Sequence, residues 1–277
     1  MKLATCRTNE GMRAVRVDGD RVVDLGLQDV GVLLGEPDWV KRASRDGQFV
    51  DSLKEGLSFE AVVPQPGKIF CVGLNYRHHV LEMGLDLPEY PTVFAKFADA
   101  LIGPRDDIEV PPESRAVDWE GELVIVIGEP VRRASPQSAA AAIAGFTVMN
   151  DISMRDWQNR TSMWLQGKTF EGTTPLGPVL VTPDELPGGV RPNLELSCEV
   201  DHELVQTANT GDLIFDPVAL VEYLSIITTL RPGDLIATGT PGGVGHACTP
   251  PRYLTDGALV STEVSGIGRL QNTVVAV

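Results

Sequence analysis

The sequence predicts a mixed, mostly β domain with a few inserted helices, preceded by a small N-terminal α+β domain. Three observations lead there. Past residue 64 the chain offers eight strand-like apolar segments against only four helical patterns. These do not alternate as βαβαβ units, so a doubly wound parallel sheet is not expected. The turn-rich stretch "PQPGK", residues 64–68, sets the first 63 residues apart from residues 64–277.

In chain order, "KLATCRT", "MRAVRVDG" and "DRVVDL" read as short strands over residues 1–24. Asp18, Gly19 and Asp20 form the turn of a hairpin. Residues 28–60 read as helical and loop-like. The later strands are expected over 68–74, 92–97, 121–128, 145–151, 177–182, 194–201, 234–240 and 258–268. Helices are expected near 76–84, 136–143, 153–164 and 216–229. The second carries a Ser-Pro start and a Gly end in "SPQSAAAAIAG", as helix caps prefer.

Composition excludes several classes. A formal net charge of −15 argues against a general nucleic-acid binder. No apolar run reaches membrane length, and "MKLATCRTNEG" has no signal-peptide core. Cys6, Cys71, Cys198 and Cys248 are scattered without zinc spacing and read as reduced, mostly buried thiols, which points to the cytoplasm.

The stretch "AVDWEGELVIVIG", residues 116–128, places two acids ahead of a run that reads as a strand buried on both faces. In a strand beginning at Asp118, Glu120 and Glu122 point to one face with Cα atoms roughly 7 Å apart. Such a pair is commonly a solvated strand edge. A third acid, Asp151, ends the apolar strand in "GFTVMNDISMRDW"; it could cap a helix or meet the other two if the strands are neighbours. Three carboxylates around one point repel unless a divalent cation sits among them, and oxygen-only ligands suit Mg²⁺, Mn²⁺ or Ca²⁺. In "NYRHHVLEMG", His79 and Glu82 stand at i and i+3, so one helical face carries both. A carboxylate that accepts from one imidazole nitrogen leaves the other free as a general base.

Five segments in order resemble the fumarylacetoacetate hydrolase family: "CVGLNYRHHVLEMG", "DWEGELVIVIG", "MNDISMRDWQ", "LQGKTFEGTTPLGP" and "GDLIATGTPGGVG". They span about 68–245, and the match is strong jointly though weak for any one segment. The resemblance implies a fumarylacetoacetate hydrolase-type β-rich domain, a homodimer, and a small-molecule keto-acid substrate. It implies Glu120, Glu122 and Asp151 as ligands of Mg²⁺ or Mn²⁺. It implies His79 as the base oriented by Glu82, and Lys168 as the lysine on substrate oxygens. It also implies Tyr76, Arg155, Gln158, Gly239 and Thr240 around the substrate. A helix running on from Asp151 would put Arg155 and Gln158 on its face; the plain alternative is a surface Arg155 paired with Asp156. Lys96 aligns with a common family lysine, but Phe97 follows where proline is usual, so its role stays open. His78 reads as exposed, and His246 is unassigned. Gly84 and the "LDLPEYP" after it suggest a lid.

The activity expected first is hydrolysis of a carbon–carbon bond in an acylpyruvate-type 1,3-diketo acid, with water activated by His79. The alternative is a decarboxylase or tautomerase of a β-keto diacid such as oxaloacetate on the same metal site. A non-catalytic binding protein is the third reading; the filled polar positions speak against it.

Overall fold

The computed structural model describes residues 1–45, 47–49 and 58–277. Strands β1 (Lys2–Thr8), β2 (Gly11–Asp18) and β3 (Arg21–Asp24) form an antiparallel meander. The β2–β3 hairpin turns at Gly19-Asp20, where Gly19 has φ +59°. Two short helices follow, α1 (Val30–Leu34), capped by Asp29, and α2 (Trp39–Ala43). Then come β4 (Gln48–Phe49) and β5 (Ser58–Phe59). The expected helices and loops of 28–60 are present, joined by these two strands; part of that stretch, residues 46 and 50–57, lies outside the described residues.

The rest of the chain supplies β6 (Ile69–Gly73), α3 (Arg77–Glu82), β7 (Thr92–Lys96), β8 (Leu101–Ile102), β9 (Ile108–Val110) and β10 (Val117–Asp118). Next are β11 (Gly121–Ile127), α4 (Pro136–Ala142), β12 (Ile143–Asn150), β13 (Ser153–Met154), α5 (Arg155–Gln158) and α6 (Leu165–Lys168). The chain closes with β14 (Thr174–Val181), β15 (Glu195–Val200), β16 (Glu203–Asn209), α7 (Pro217–Ile227), β17 (Leu235–Ala237), β18 (Leu259–Val264) and β19 (Gly268–Ala276). The architecture is mostly β with few helices, as the sequence predicts.

Among the described residues a 12-stranded sheet runs β4-β3-β2-β1-β14-β12-β11-β17-β6-β7, with β5 on β1 and β8 on β14. A five-stranded sheet, β16-β15-β18-β19-β9, packs against β11, β12 and β14. Leu123, Ile125, Leu196, Val264 and Leu270 are buried between them in one apolar cluster. All seven residues of β11 are buried, as a central strand covered on both faces requires. The first 63 residues join the rest through β1, whose Lys2 pairs with Val181, and through a core shared by Leu3, Leu33, Val63, Val126 and Leu180.

Three local expectations change. β11 starts at Gly121, not Asp118: Val117 and Asp118 pair instead with Met154 and Ser153. The helix expected over 153–164 shrinks to α5, because Ser153 and Met154 are extended in that pairing, so Asp151 is not on its face. Gly145 does not cap α4. It lies in β12, where a Cβ would come within 2.3 Å of the Val181 carbonyl oxygen. Two long strands, β16 and β19, lie almost wholly beyond the strand segments the sequence picked out, as do the short strands β4, β5, β8, β9, β10 and β13.

Candidate metal centre and active site

Four strand ends meet at one edge of the large sheet. β11 begins there and the antiparallel β12 ends there, with Gly121 opposite Asn150. β17 runs antiparallel to β11 and parallel to β6, so the ends of β17 and β6 reach the same edge. The chain therefore delivers Glu120, Asp151, the "TGT" loop and the turn into α3 to one place.

Glu120 and Asp151 are fixed first through their own backbone N–H groups. The Asp151 N–H donates to the Glu120 carbonyl at 2.8 Å, and the Glu120 N–H donates to Asn150 Oδ1 at 2.8 Å. The Gly239 N–H donates to Glu122 Oε2 at 2.8 Å. Gly239 has φ +105°, and a Cβ there would stand 2.8 Å from the Val72 carbonyl oxygen, so the close approach needs glycine. Glu120, Glu122 and Asp151 each bring an oxygen to within 4.8 Å of the others, and all three are buried.

Around them lies an alternating charge network. Lys168 Nζ bonds Glu120 Oε2 at 2.6 Å and Asp151 Oδ2 at 2.9 Å. Lys96 Nζ bonds Asp151 Oδ1 at 2.6 Å. Arg155 contacts Asp118 Oδ2 through Nε and Nη2, both at 2.8 Å, and Glu120 Oε1 through Nη1 at 2.7 Å. Burial pushes the Lys168 ammonium down, but Asp151 and Glu120 outweigh it and hold the group above its ordinary value. Burial likewise opposes ionised Asp151, yet Lys168 and Lys96 hold it below the usual carboxylate range. Glu122 has no such cation in contact. Burial, then Asp151 and Glu120, push its carboxyl well up. A buried acid with this environment, beside two further carboxyl groups, is a donor set that a hard divalent cation fits.

Of the triad, Glu120 lines a cavity of about 240 Å³ whose walls also include Arg155, Gln158, Lys168, Thr240 and His79. Phe94 and Trp164, in edge-to-face contact at 5.4 Å, supply an apolar wall. Leu74, in the turn before α3, takes a positive φ of 57°, an unusual conformation for a leucine at a lining position. Asn75 fixes that turn by donating to the Thr238 and Phe215 carbonyls.

The sequence-derived residues fall into place unevenly. His79 is half-buried and lines the cavity; burial lowers its pKa below the ordinary histidine value in spite of Glu82 and Glu120. Glu82 shares α3 with it, and both flank Gly242, but among the described residues no hydrogen bond joins them. The expected orienting bond is thus replaced by through-space attraction. Tyr76 is buried with its hydroxyl unpartnered, and it lines a second, larger cavity of about 370 Å³ that His79 and Glu82 also line. Arg155 does not pair with Asp156, which instead accepts from Ser114 and the Arg115 N–H. Gly239 is engaged by Glu122. The Thr240 hydroxyl donates to the Gly121 carbonyl and accepts from Gln206 Nε2. His78 is exposed and bonds Asp212 at 2.7 Å. His246, unassigned by sequence, lines the active cavity.

Three residues escaped the sequence reading. Lys96, left open because Phe97 follows it, is fully buried on Asp151, while Phe97 itself is exposed. Asp118 accepts from Arg155 and from the N–H groups of Trp119, Gly245 and His246. Its signal was present as a third acid in "DWEGE". Gln206, on β16, ties the Gly121 N–H to Thr240 and Pro241; a lone glutamine gives no such signal.

The family model for the fumarylacetoacetate (FAA) hydrolase C-terminal region matches residues 68–275. The chain belongs to the fumarylacetoacetate hydrolase family. It is 44% identical over 220 residues to a mitochondrial oxaloacetate tautomerase of Rattus norvegicus, covering 79% of this chain and 70% of that one. It is 38% identical over 270 residues to a mitochondrial oxaloacetate tautomerase of Xenopus laevis, covering 93% and 84%. Among solved structures, fumarylacetoacetate hydrolase from Exiguobacterium antarcticum superposes with TM-score 0.88 at 30% identity, covering 100% of both chains. A 5-carboxymethyl-2-hydroxymuconate delta-isomerase from Mycobacterium smegmatis gives 0.80 at 35%, covering 100% and 99%. These relatives favour the tautomerase alternative over the hydrolase expected first. The four cysteines fit the reading of reduced, mostly buried thiols: Cys6, Cys71 and Cys198 are buried and Cys248 is exposed, all free. No helix among the described residues is long and apolar enough to cross a membrane.

Proposed function

We propose that this protein is a metal-dependent tautomerase of a small β-keto diacid of the oxaloacetate type. The observation that carries the reading is the convergence of buried Glu120, Glu122 and Asp151, whose member Glu120 lines a cavity that His79 also lines. The similarity to oxaloacetate tautomerases supports tautomerisation among the reactions such a site could run. The size of the cavity, about 240 Å³, suits a short-chain acid.

Mg²⁺ or Mn²⁺ held by Glu120, Glu122 and Asp151 would anchor an α-keto acid and draw charge onto its keto oxygen. The protein does the rest. Lys168, bonded to both Glu120 and Asp151, holds two of the ligands and keeps one N–H for a substrate oxygen. Arg155 fixes the other Glu120 oxygen. His79, kept neutral by burial, accepts the proton from the carbon between the two carbonyl groups as the C–H electron pair moves toward the keto oxygen. The imidazolium then returns that proton to the oxygen, giving the enol; the reverse sequence gives the ketone. Phe94 and Trp164 keep water from that side of the cavity.

Hydrolysis of acylpyruvates is the rival. It asks Glu82 to orient His79 toward water, and these two side chains share no hydrogen bond. The test adds enol oxaloacetate to the Mg²⁺- or Mn²⁺-loaded protein and follows the ketone through a keto-specific reductase. Acceleration that chelator abolishes supports the reading. Pyruvate release from acylpyruvates with no effect on oxaloacetate would replace it with the hydrolase. A homodimer, the lid after Gly84 and a cytoplasmic location belong to the same proposal. Light scattering tests the first.

A further inference from the structure

The buried charges of the site are nearly balanced among themselves. Asp118, Glu120, Glu122 and Asp151 face Lys96, Lys168 and Arg155, which leaves one negative charge in excess. A divalent cation makes the set positive by one, enough for one carboxylate. A diacid brings a second, and the buried cations are poorly placed to receive it. All three nitrogens of Arg155 are engaged, by Asp118, Glu120 and Gln158. Lys168 holds two of the ligands. Lys96 does not line the cavity.

Two other donors do line it. Gln158 accepts from Arg155 through Oε1 at 2.8 Å, which fixes the amide and leaves its nitrogen without a partner among the described residues. His246 stands on a short turn, Gly245–Ala247, whose backbone is pinned by two N–H bonds to Asp118, at 2.7 Å from Gly245 and 3.0 Å from His246. Its Nδ1 lies 2.9 Å from the Tyr253 hydroxyl, and the rings are 6.2 Å apart at 31°. With the phenol donating to Nδ1, Nε2 carries the ring proton and is the donor left over.

We infer that His246, held by Tyr253, and the Gln158 amide form the subsite for the distal carboxylate, and so select diacids over neutral-ended keto acids. The inference rests on reading this cavity as a keto-acid site. The pinned turn makes His246 a preorganised donor, since Asp118 secures the same turn and the Arg155 that fixes Gln158.

The test is calorimetric, on the Mn²⁺-loaded protein, with L-malate and its 4-methyl ester. Both carry the same α-hydroxy acid end and neither enolises. A wild-type preference for the diacid of about tenfold or more is expected, the scale of a charge-assisted hydrogen bond. His246→Ala should erase most of that preference while the ester binds as before. His246→Gln, which restores an N–H, should recover part of it, and Tyr253→Phe should lie between. No wild-type preference, an unchanged preference in His246→Ala, or equal loss for both ligands would overturn the inference. Oxaloacetate tautomerisation by the wild type is scored separately. A His246-dependent preference without that activity retains the subsite and removes the proposed reaction; activity with a preference indifferent to His246 does the opposite.

Discussion

Lys96 and Asp151 form a 2.6 Å ion pair in which neither side chain reaches solvent. A buried pair of this kind contributes little net stability against an apolar replacement of both, but removing one partner strands the other. Here the group left behind would be a metal ligand, Asp151, which would keep Lys168 as its one contacting cation among the described residues.

Lys96→Met should therefore destabilise the metal-free protein by up to about 3 kcal/mol, less than a wholly unpaired buried charge would cost, because Lys168 remains on Asp151. Mn²⁺ should restore part of this, because the ion supplies the positive charge that Lys96 removed. Thermal unfolding with and without Mn²⁺ checks it. A larger Mn²⁺-induced rise in Tm for the variant than for the wild type is the expected outcome, and an equal rise would count against the pairing.

Metal affinity should climb with pH. Burial and its acidic neighbours raise Glu122 well above the usual carboxylate range, so the metal-free site holds a proton there at low pH. The cation must displace that proton, which favours binding as pH rises and stops helping once the free site has lost it. Titration of Mn²⁺ in buffers of different ionisation heat should reveal proton release. Glu122→Gln should remove the release and weaken binding together.

The acid limb of kcat/KM should fall below about pH 6.5, the ordinary histidine value, because burial favours neutral His79. Activity is full above the lowered pKa and is lost as pH drops through it and the base is protonated. His79→Ala should reduce kcat by about 10²–10⁴-fold. A limb well above that pH would assign the base elsewhere.

Gly242→Ala offers a milder perturbation. A Cβ at this position would stand 3.1 Å from His79 Nδ1 and 3.5 Å from Glu82 Oε2. The added methyl should displace the imidazole and lower kcat with little change in Tm. An unchanged kcat would show that the His79 ring has room to give.

The mostly β architecture, the acids at strand ends and the His79–Glu82 spacing were legible in the sequence because each sits in a short segment with its own pattern; Lys168 and the grouping of the three acids came only from the resemblance of five segments to the family. An apolar run follows the E-x-E pair, another ends at Asp151, and i,i+3 spacing marks His79 and Glu82. Local pattern also misled where pairing overrode it: extended Ser153–Met154 cut short the helix that would have carried Asp151 beside Arg155.

What the sequence by itself determined is which segments are buried strands and which polar residues stand at their ends, since both follow from the order of apolar and polar groups along the chain. Tertiary structure alone decided which charges meet. Lys96 on Asp151, Arg155 between Asp118 and Glu120, Gln206 across Gly121 and Thr240, and His246 on Tyr253 depend on side chains from separate elements reaching one point. Ion pairs and hydrogen bonds act over a few ångströms of space, and separation along the chain does not specify that distance.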